Sequence, residues 1–124
     1  MASAGNKRMN GKGPGDAMLF IYRLKPGMGP DYDRAHQAVW PEILDLIDRA
    51  GIYDYQIWRH GDLVVSRMRT REGYDHAAAV TGASAVQARW TASMSHIFAD
   101  IADADGEPLW LDEVFSHRVV GGGS

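Results

Sequence analysis

The stretch Tyr32-Asp-Arg-Ala-His36-Gln-Ala-Val-Trp40-Pro41-Glu42 places three ring side chains at intervals of four residues. On a helix, Tyr32, His36 and Trp40 would share one face, because residues four apart lie one above the other. Apolar residues continue the same face: Ile43, Leu44 and Ile47. Such a stripe packs on a core, where a phenol and an imidazole cost free energy unless they find partners. The stretch therefore predicts a helix whose first half borders a cavity for a polar ligand.

We expect this helix over residues 31–50, with Asp31 as its N-cap and Gly51 at its end. Pro41 lies inside it, and proline lacks the N–H that the helix needs and disfavours helical backbone at Trp40. The helix therefore kinks at this point, or it breaks and restarts with Pro41 as its first residue. The apolar stripe keeps its phase across the proline, which favours the kink.

The remaining segments alternate between strand and helix patterns. Strands are expected at 17–24, 52–60, 63–68 and 109–117, and further helices at 72–80 and 84–101. The order β-α-β-β-α-β predicts an α+β, ferredoxin-like fold, in which helices cover one face of a four-stranded antiparallel sheet. Strands one, two and four carry large residues on both alternations, so the other face also needs a cover. A second copy of the chain is the simplest cover, which predicts a homodimer.

Composition predicts one globular domain over 17–118, between a disordered tail at 1–16 and a flexible one at 119–124. The net charge is −3, which argues against nucleic acid or an anionic membrane as a partner. The absence of cysteine excludes disulfides and thiolate nucleophiles. No apolar run is long enough to span a bilayer, and we expect a cytoplasmic protein. The five histidines show no ligand spacing, so neither a metal nor another cofactor is expected.

The opening stretch also resembles the L-rhamnose mutarotase family, whose members share a Tyr-x3-His-x3-Trp-Pro-Glu segment. The resemblance extends from about Met18 to His117. It includes three further segments in the expected order: Asp54-Tyr55, Gln87-Ala-Arg-Trp90 and Glu113-Val-Phe115. The family implies a dimeric α/β barrel, in which two such domains pack through their sheets.

The resemblance assigns roles to five residues. It implies that His36 is the catalytic acid and base, since an imidazole can give and accept protons near neutral pH. Tyr32, Tyr55 and Trp90 would bind the sugar, the tyrosines through hydroxyls and Trp90 through its apolar ring. In much of the family a second Trp follows Trp90 and contributes to the sugar site; Thr91 stands there in this chain and is the fifth candidate, as a sugar-binding residue. By spacing alone, His36 could instead be a satisfied half-buried histidine, and Trp90 a core residue.

The function that the resemblance implies is that of an aldose mutarotase. It would interconvert the α and β anomers of a 6-deoxyhexose: L-rhamnose first, with L-fucose as the alternative. Two segments look closer to a fucose-linked branch, Ile57-Trp-Arg-His-Gly61 and Trp110-Leu-Asp-Glu-Val-Phe115. Other classes stay open, because small ferredoxin-like dimers also act as monooxygenases, heme-binding proteins or non-catalytic sugar-binding modules.

Overall fold

The computed structural model describes residues 11–117 of the 124-residue chain. The elements in chain order are β1 Met18–Leu24, α1 Gly29–His36, α2 Pro41–Arg49, β2 Ile52–His60, β3 Leu63–Thr70, α3 Tyr74–Gly82, α4 Ala85–Ser93, β4 Phe98–Asp100 and β5 Leu109–Trp110.

The strands form one antiparallel sheet in the order β2-β3-β1-β4, with β5 also paired to β1. This order confirms the predicted α+β, ferredoxin-like fold. Two short strands, β4 and β5, occupy the fourth position of the sheet, and each pairs with a different part of β1. β4 pairs at Arg23 and Leu24, and β5 pairs at Phe20 and Ile21.

The last strand is much shorter than the sequence pattern predicts. Trp110 lies opposite Phe20, and the Leu111 N–H donates to the Leu19 carbonyl oxygen at 2.9 Å. In this antiparallel register, residues beyond 112 would lie opposite residues that precede Met18, where β1 has already ended. The predicted strand over 109–117 is therefore wrong beyond Trp110.

The stretch from Tyr32 to Glu42 forms parts of two helices rather than one kinked helix. Trp40 is extended, with φ −59° and ψ 137°, as expected of a residue before proline. Pro41 begins α2, where its missing N–H would have no helical partner in any case. The predicted kink is wrong, and the alternative of a break holds. Met28, rather than Asp31, occupies the N-cap position of α1.

The predicted helix over 84–101 is also wrong, because α4 ends at Ser93. The hydroxyls of Ser93 and Ser95 donate to the carbonyl oxygens of Trp90 and Ala92, at 2.7 and 3.0 Å. Such local side-chain bonds compete with the continuation of a helix. The chain then returns to the sheet, where the Lys25 N–H donates to the Ile97 carbonyl oxygen at 2.8 Å. The apolar residues after α4 thus continue the core from a turn and from β4.

Residues 11–16 belong to the predicted disordered tail, yet they are bonded to the domain. The Gly15 N–H donates to the Thr70 carbonyl oxygen at 2.8 Å, and the Tyr74 N–H donates to that of Lys12 at 2.9 Å. These are backbone bonds, which a prediction from side-chain composition does not register. The expectation of disorder is therefore wrong for 11–16. Residues 1–10 of the first predicted tail and all of the second, 119–124, lie outside the described residues.

The core between the sheet and the helices positions the candidate site. One cluster of buried residues joins β1, α1, β3 and the segment after α4: Leu24, Tyr32, Val64, Met94 and Ile97. Partly buried side chains pack against it, among them Tyr22, Ile57, Trp90 and Phe98. Tyr32 is thus part of the core and part of the predicted site, so the site is built directly on well-packed side chains.

Candidate active site

Tyr32 and His36 lie one turn apart on α1 and contact each other through their rings. Tyr32 is buried and His36 is half-buried, with ring centroids 4.1 Å apart. The His36 Nδ1 atom lies 2.9 Å from the backbone carbonyl oxygen of Tyr32. A carbonyl oxygen can only accept, so this bond assigns the proton of the neutral imidazole to Nδ1. Nε2 is then the nitrogen that can accept a proton.

Trp90 reaches the same place from α4. Its ring meets that of His36 edge-on, with centroids 5.9 Å apart, and that of Trp40 in the same manner at 5.1 Å. Trp90 packs against the core cluster on one side and is half-buried, so the rest of its ring is exposed to solvent. The structure thus brings Trp90 together with His36 and Tyr32, as the sequence predicts.

A β-bulge in β2 puts Tyr53 and Tyr55 on opposite faces of the sheet. Tyr53 lies opposite Arg69 and Gln56 opposite Arg67, so β2 holds one extra residue between these pairs. Asp54 accommodates the bulge with a positive φ of 49°, a conformation that aspartate adopts more readily than most residues. Tyr55 shares the face of Ile57, which packs against the core cluster, and the extra residue puts Tyr53 on the other face. Tyr55 faces inward and Tyr53 outward.

Three tyrosines, Tyr22, Tyr32 and Tyr55, form what we call the phenol cluster. The hydroxyls of Tyr22 and Tyr32 are hydrogen-bonded to each other. Burial raises the pKa of all three phenols, and the nearby Tyr22 further raises the pKa of the other two. Tyr55 as a whole residue is 39% exposed, so the burial that raises its pKa is at its hydroxyl rather than along its ring. All three phenols are therefore neutral near pH 7 and act as hydrogen-bonding groups rather than as bases.

Thr91 is not brought into this group. It is exposed on α4, and its Oγ1 accepts a hydrogen bond from Gln87 Nε2 at 3.1 Å. Neighbouring residues on a helix point about 100° apart, so Thr91 cannot share the direction of Trp90.

A cleft of about 460 Å³ opens beside α1 and exposes His36. Seven residues line it: Tyr32, Asp33, His36, Gln37, Ile57, Trp58 and Arg59. A larger cavity of about 620 Å³ lies between residues 11–19 and 110–113 and contains none of the predicted site residues. The groups with suitable chemistry, rather than the larger volume, therefore identify the cleft as the candidate site.

An ion pair in the cleft wall was not predicted from the sequence. Arg59 donates through Nε and Nη2 to the two carboxylate oxygens of Asp33, at 2.8 and 2.6 Å, and through Nη1 to the Gly61 carbonyl oxygen at 2.8 Å. The hydrogen bonds from Arg59 lower the pKa of Asp33, so its carboxylate is ionised at neutral pH. The pair ties α1 to the β2–β3 hairpin. Only the sheet topology brings these two residues together, and no local sequence signal marks them.

Within 11–117, no three side chains of the metal-ligating types His, Cys, Asp and Glu come close enough to hold an ion. None of the helices in that part of the chain has the length and apolar character needed to cross a membrane.

Comparisons with known proteins agree on one family. Residues 17–117 match the family described as L-rhamnose mutarotase. An L-rhamnose mutarotase of Burkholderia orbicola is 35% identical over 94 residues, which cover 76% of this chain and 88% of the relative. That of Sinorhizobium fredii is 35% identical over 99 residues, covering 77% and 92%. The crystal structure of an L-rhamnose mutarotase from Formosa agariphila matches 83% of this chain and 99% of its own, with a TM-score of 0.65. Its sequence identity is 20%, so this match supports the fold alone.

Proposed function

The chain belongs to the L-rhamnose mutarotase family, and we propose that it interconverts the α and β anomers of a 6-deoxyhexose. L-Rhamnose is the first candidate substrate, because the similar relatives are named for it, and L-fucose is the second. The observation that carries the proposal is the pairing of His36 with Tyr32 at a cleft, with Nδ1 bonded to a carbonyl oxygen and Nε2 as proton acceptor.

Anomer exchange needs two proton transfers and no redox step. The C1 hydroxyl loses a proton, the bond from C1 to the ring oxygen breaks, and the ring oxygen gains a proton. Rotation about C1–C2 and closure by the reverse steps yield the other anomer. His36 would accept the C1 hydroxyl proton at Nε2, and the resulting imidazolium would deliver a proton to the ring oxygen. A positioned acid or base of this kind accelerates a reaction by about 10²–10⁴-fold.

The other predicted residues would bind the sugar rather than exchange protons with it. Tyr32 and Tyr55 carry neutral hydroxyls, which can donate to and accept from sugar hydroxyls. Trp90 offers an apolar ring within 5.9 Å of the His36 ring centroid, against which the C–H face of a pyranose can pack. Thr91 remains part of the proposed site as the residue that replaces a second Trp. Because Thr91 is exposed, it would contact the sugar only at the rim of the site.

We also propose that the protein is a cytoplasmic homodimer, paired through the sheet face opposite the helices. Leu19, Ile21 and Val65 are half-buried on this face, and Trp58 is 52% exposed there. An apolar sheet face of this kind is normally covered by another surface. Sedimentation at micromolar concentration should give twice the chain mass of 13.7 kDa, and a monomer alone would contradict the pairing.

The test of function is anomer exchange measured by NMR. Magnetisation transfer between the α and β anomeric protons is recorded for a panel of free aldoses, with and without the protein. We expect faster exchange for L-rhamnose or L-fucose and little change for aldoses that bear a C6 hydroxyl. A sugar-binding module would bind the sugar and leave the exchange rate unchanged. A heme-binding protein would show a shifted Soret band when mixed with heme.

A further inference from the structure

Tyr22 is the one member of the phenol cluster to which the proposed function gives no role. It lies on β1, points toward the helices, and makes a hydroxyl-to-hydroxyl bond with Tyr32. We propose that Tyr22 is a positioning residue, which holds the Tyr32 hydroxyl in the direction from which it meets the sugar. This inference rests on the proposed function, because it concerns the same site.

Tyr22 can serve as a fixed support because its own ring is held on two sides. The Phe98 ring meets it edge-on with centroids 5.5 Å apart, and the Phe20 ring stacks at 6.2 Å. Its backbone is in the sheet, directly opposite Val64 on β3. A hydroxyl on such a ring has little freedom to move, whereas α1 belongs to a layer joined to the sheet by loops.

The bond to Tyr22 limits the hydrogen bonds that the Tyr32 hydroxyl can make with a sugar. A phenol has one donor and two acceptor positions, so a bond to Tyr22 fixes which of them remain for a ligand. Ser66 lies on β3 opposite Phe20 and is fully buried, and its Oγ has no hydrogen-bond partner among the described residues. The hydroxyl to which Tyr22 is bonded is therefore that of Tyr32.

The position of Tyr32 also affects His36. The two rings lie with centroids 4.1 Å apart, and His36 Nδ1 is bonded to the Tyr32 carbonyl oxygen. A displacement of Tyr32 would thus move its own sugar-binding hydroxyl and also the His36 ring that carries Nε2. Tyr22 acts on the reaction through Tyr32, and it would touch neither the sugar nor the transferred proton.

The test is a double-mutant cycle with Tyr22→Phe and Tyr32→Phe, which each remove only a hydroxyl. We expect Tyr22→Phe to raise KM for the sugar about three- to tenfold, the size of one neutral hydrogen bond, with a smaller change in kcat and an unchanged pH profile. In the Tyr32→Phe background the same substitution should have no further effect on KM. Tyr53→Phe is the matched control, since Tyr53 lies on the outer face with its ring against Arg71.

Two outcomes would overturn the inference. If Tyr22→Phe has the same effect in both backgrounds, Tyr22 acts independently of Tyr32. If it leaves KM unchanged in the parent chain, the hydroxyl does not position anything. A sugar-free measurement separates this from a failure of the proposed function. Thermal unfolding of the same four proteins needs no sugar: the two substitutions together should lower the unfolding midpoint by less than the sum of their single effects, because either one alone leaves a buried hydroxyl without its partner. Strictly additive effects on the midpoint would contradict the inference even if no sugar is turned over.

Discussion

Replacement of His36 by Asn is the sharpest test of the proposed chemistry, because the structure separates the two ring nitrogens. Nδ1 is bonded to the Tyr32 carbonyl oxygen at 2.9 Å, and Nε2 is the nitrogen proposed to accept the proton. The Asn side-chain nitrogen occupies the place of Nδ1 and can keep that bond. It has no group at the place of Nε2 and does not titrate near neutral pH. The substitution therefore removes the base and preserves its anchor.

The expected loss in rate follows from the role assigned to Nε2. General acid–base groups contribute about 10²–10⁴-fold, so catalysed anomer exchange should fall by about 10²-fold or more, equivalent to about 2.7 kcal/mol in the barrier. The loss in stability should be smaller. His36 contacts Tyr32 and Trp90 through its ring, and aromatic contacts of this kind contribute about 0.5–1.5 kcal/mol each. Sugar affinity should change much less than rate, because the loss falls on the transition state.

The assay is exchange NMR of the anomeric protons at matched sugar saturation, with thermal unfolding of each variant as the test of folding. His96→Asn is the control, because His96 is exposed and lies outside the cleft lining. His36→Gln provides a second variant, since its amide reaches the place of Nε2 and still cannot serve as a base. A folded His36→Asn protein that exchanges the anomers at the parent rate would remove His36 from the mechanism.

Three further predictions concern the surroundings of His36. Trp90→Ala should weaken sugar binding and lower the unfolding free energy by less than the roughly 3–5 kcal/mol of a fully buried Trp, because Trp90 is half-buried. Unchanged sugar affinity in that variant would make Trp90 a core residue alone. Asp33→Asn should raise KM more than Asp31→Asn, because Asp33 anchors Arg59 in the cleft wall whereas Asp31 pairs with its helix neighbour Arg34. Equal values of KM would show that the ion pair does not shape the cleft. Unfolding free energy should fall as pH rises above the ordinary tyrosine value of 10.0, because the folded chain keeps the phenol cluster protonated while the unfolded chain releases those protons. Denaturant titrations that give the same stability at about pH 9 and about pH 11 would contradict it.

Short-range spacing predicted the part of the site that lies on one helix. Tyr32 and His36 meet because residues four apart on a helix must meet, whatever the rest of the fold does. Trp90 packs against the core cluster from α4, which agrees with the core position that spacing alone allowed. The break before Pro41 was harder to predict. Its local cause was visible, but the unbroken phase of the apolar stripe pointed to a kink, and the structure follows the backbone restriction at Trp40.

Long-range register decided the parts that were missed. The end of β5 depends on where β1 begins, and the outward position of Tyr53 depends on an extra residue opposite β3. Neither can be read from strict alternation, because a single bulge moves every later side chain to the other face. The positive φ at Asp54 is the local sign of the bulge. Tyr55 keeps the inward face of Ile57, and its role in sugar binding stays a prediction from the family resemblance.

The phenol cluster shows why a site built on a core is difficult to read from sequence. Tyr22, Tyr32 and Tyr55 come from β1, α1 and β2, and each looks like an ordinary core aromatic in its own segment. Only the paired hydroxyls reveal a polar centre within apolar packing. Because a buried hydroxyl without a partner is unfavourable, a change in one member alters what the others require. Substitutions in this cluster should therefore act on sugar binding as a group, whereas those at the exposed Thr91 should act on it singly.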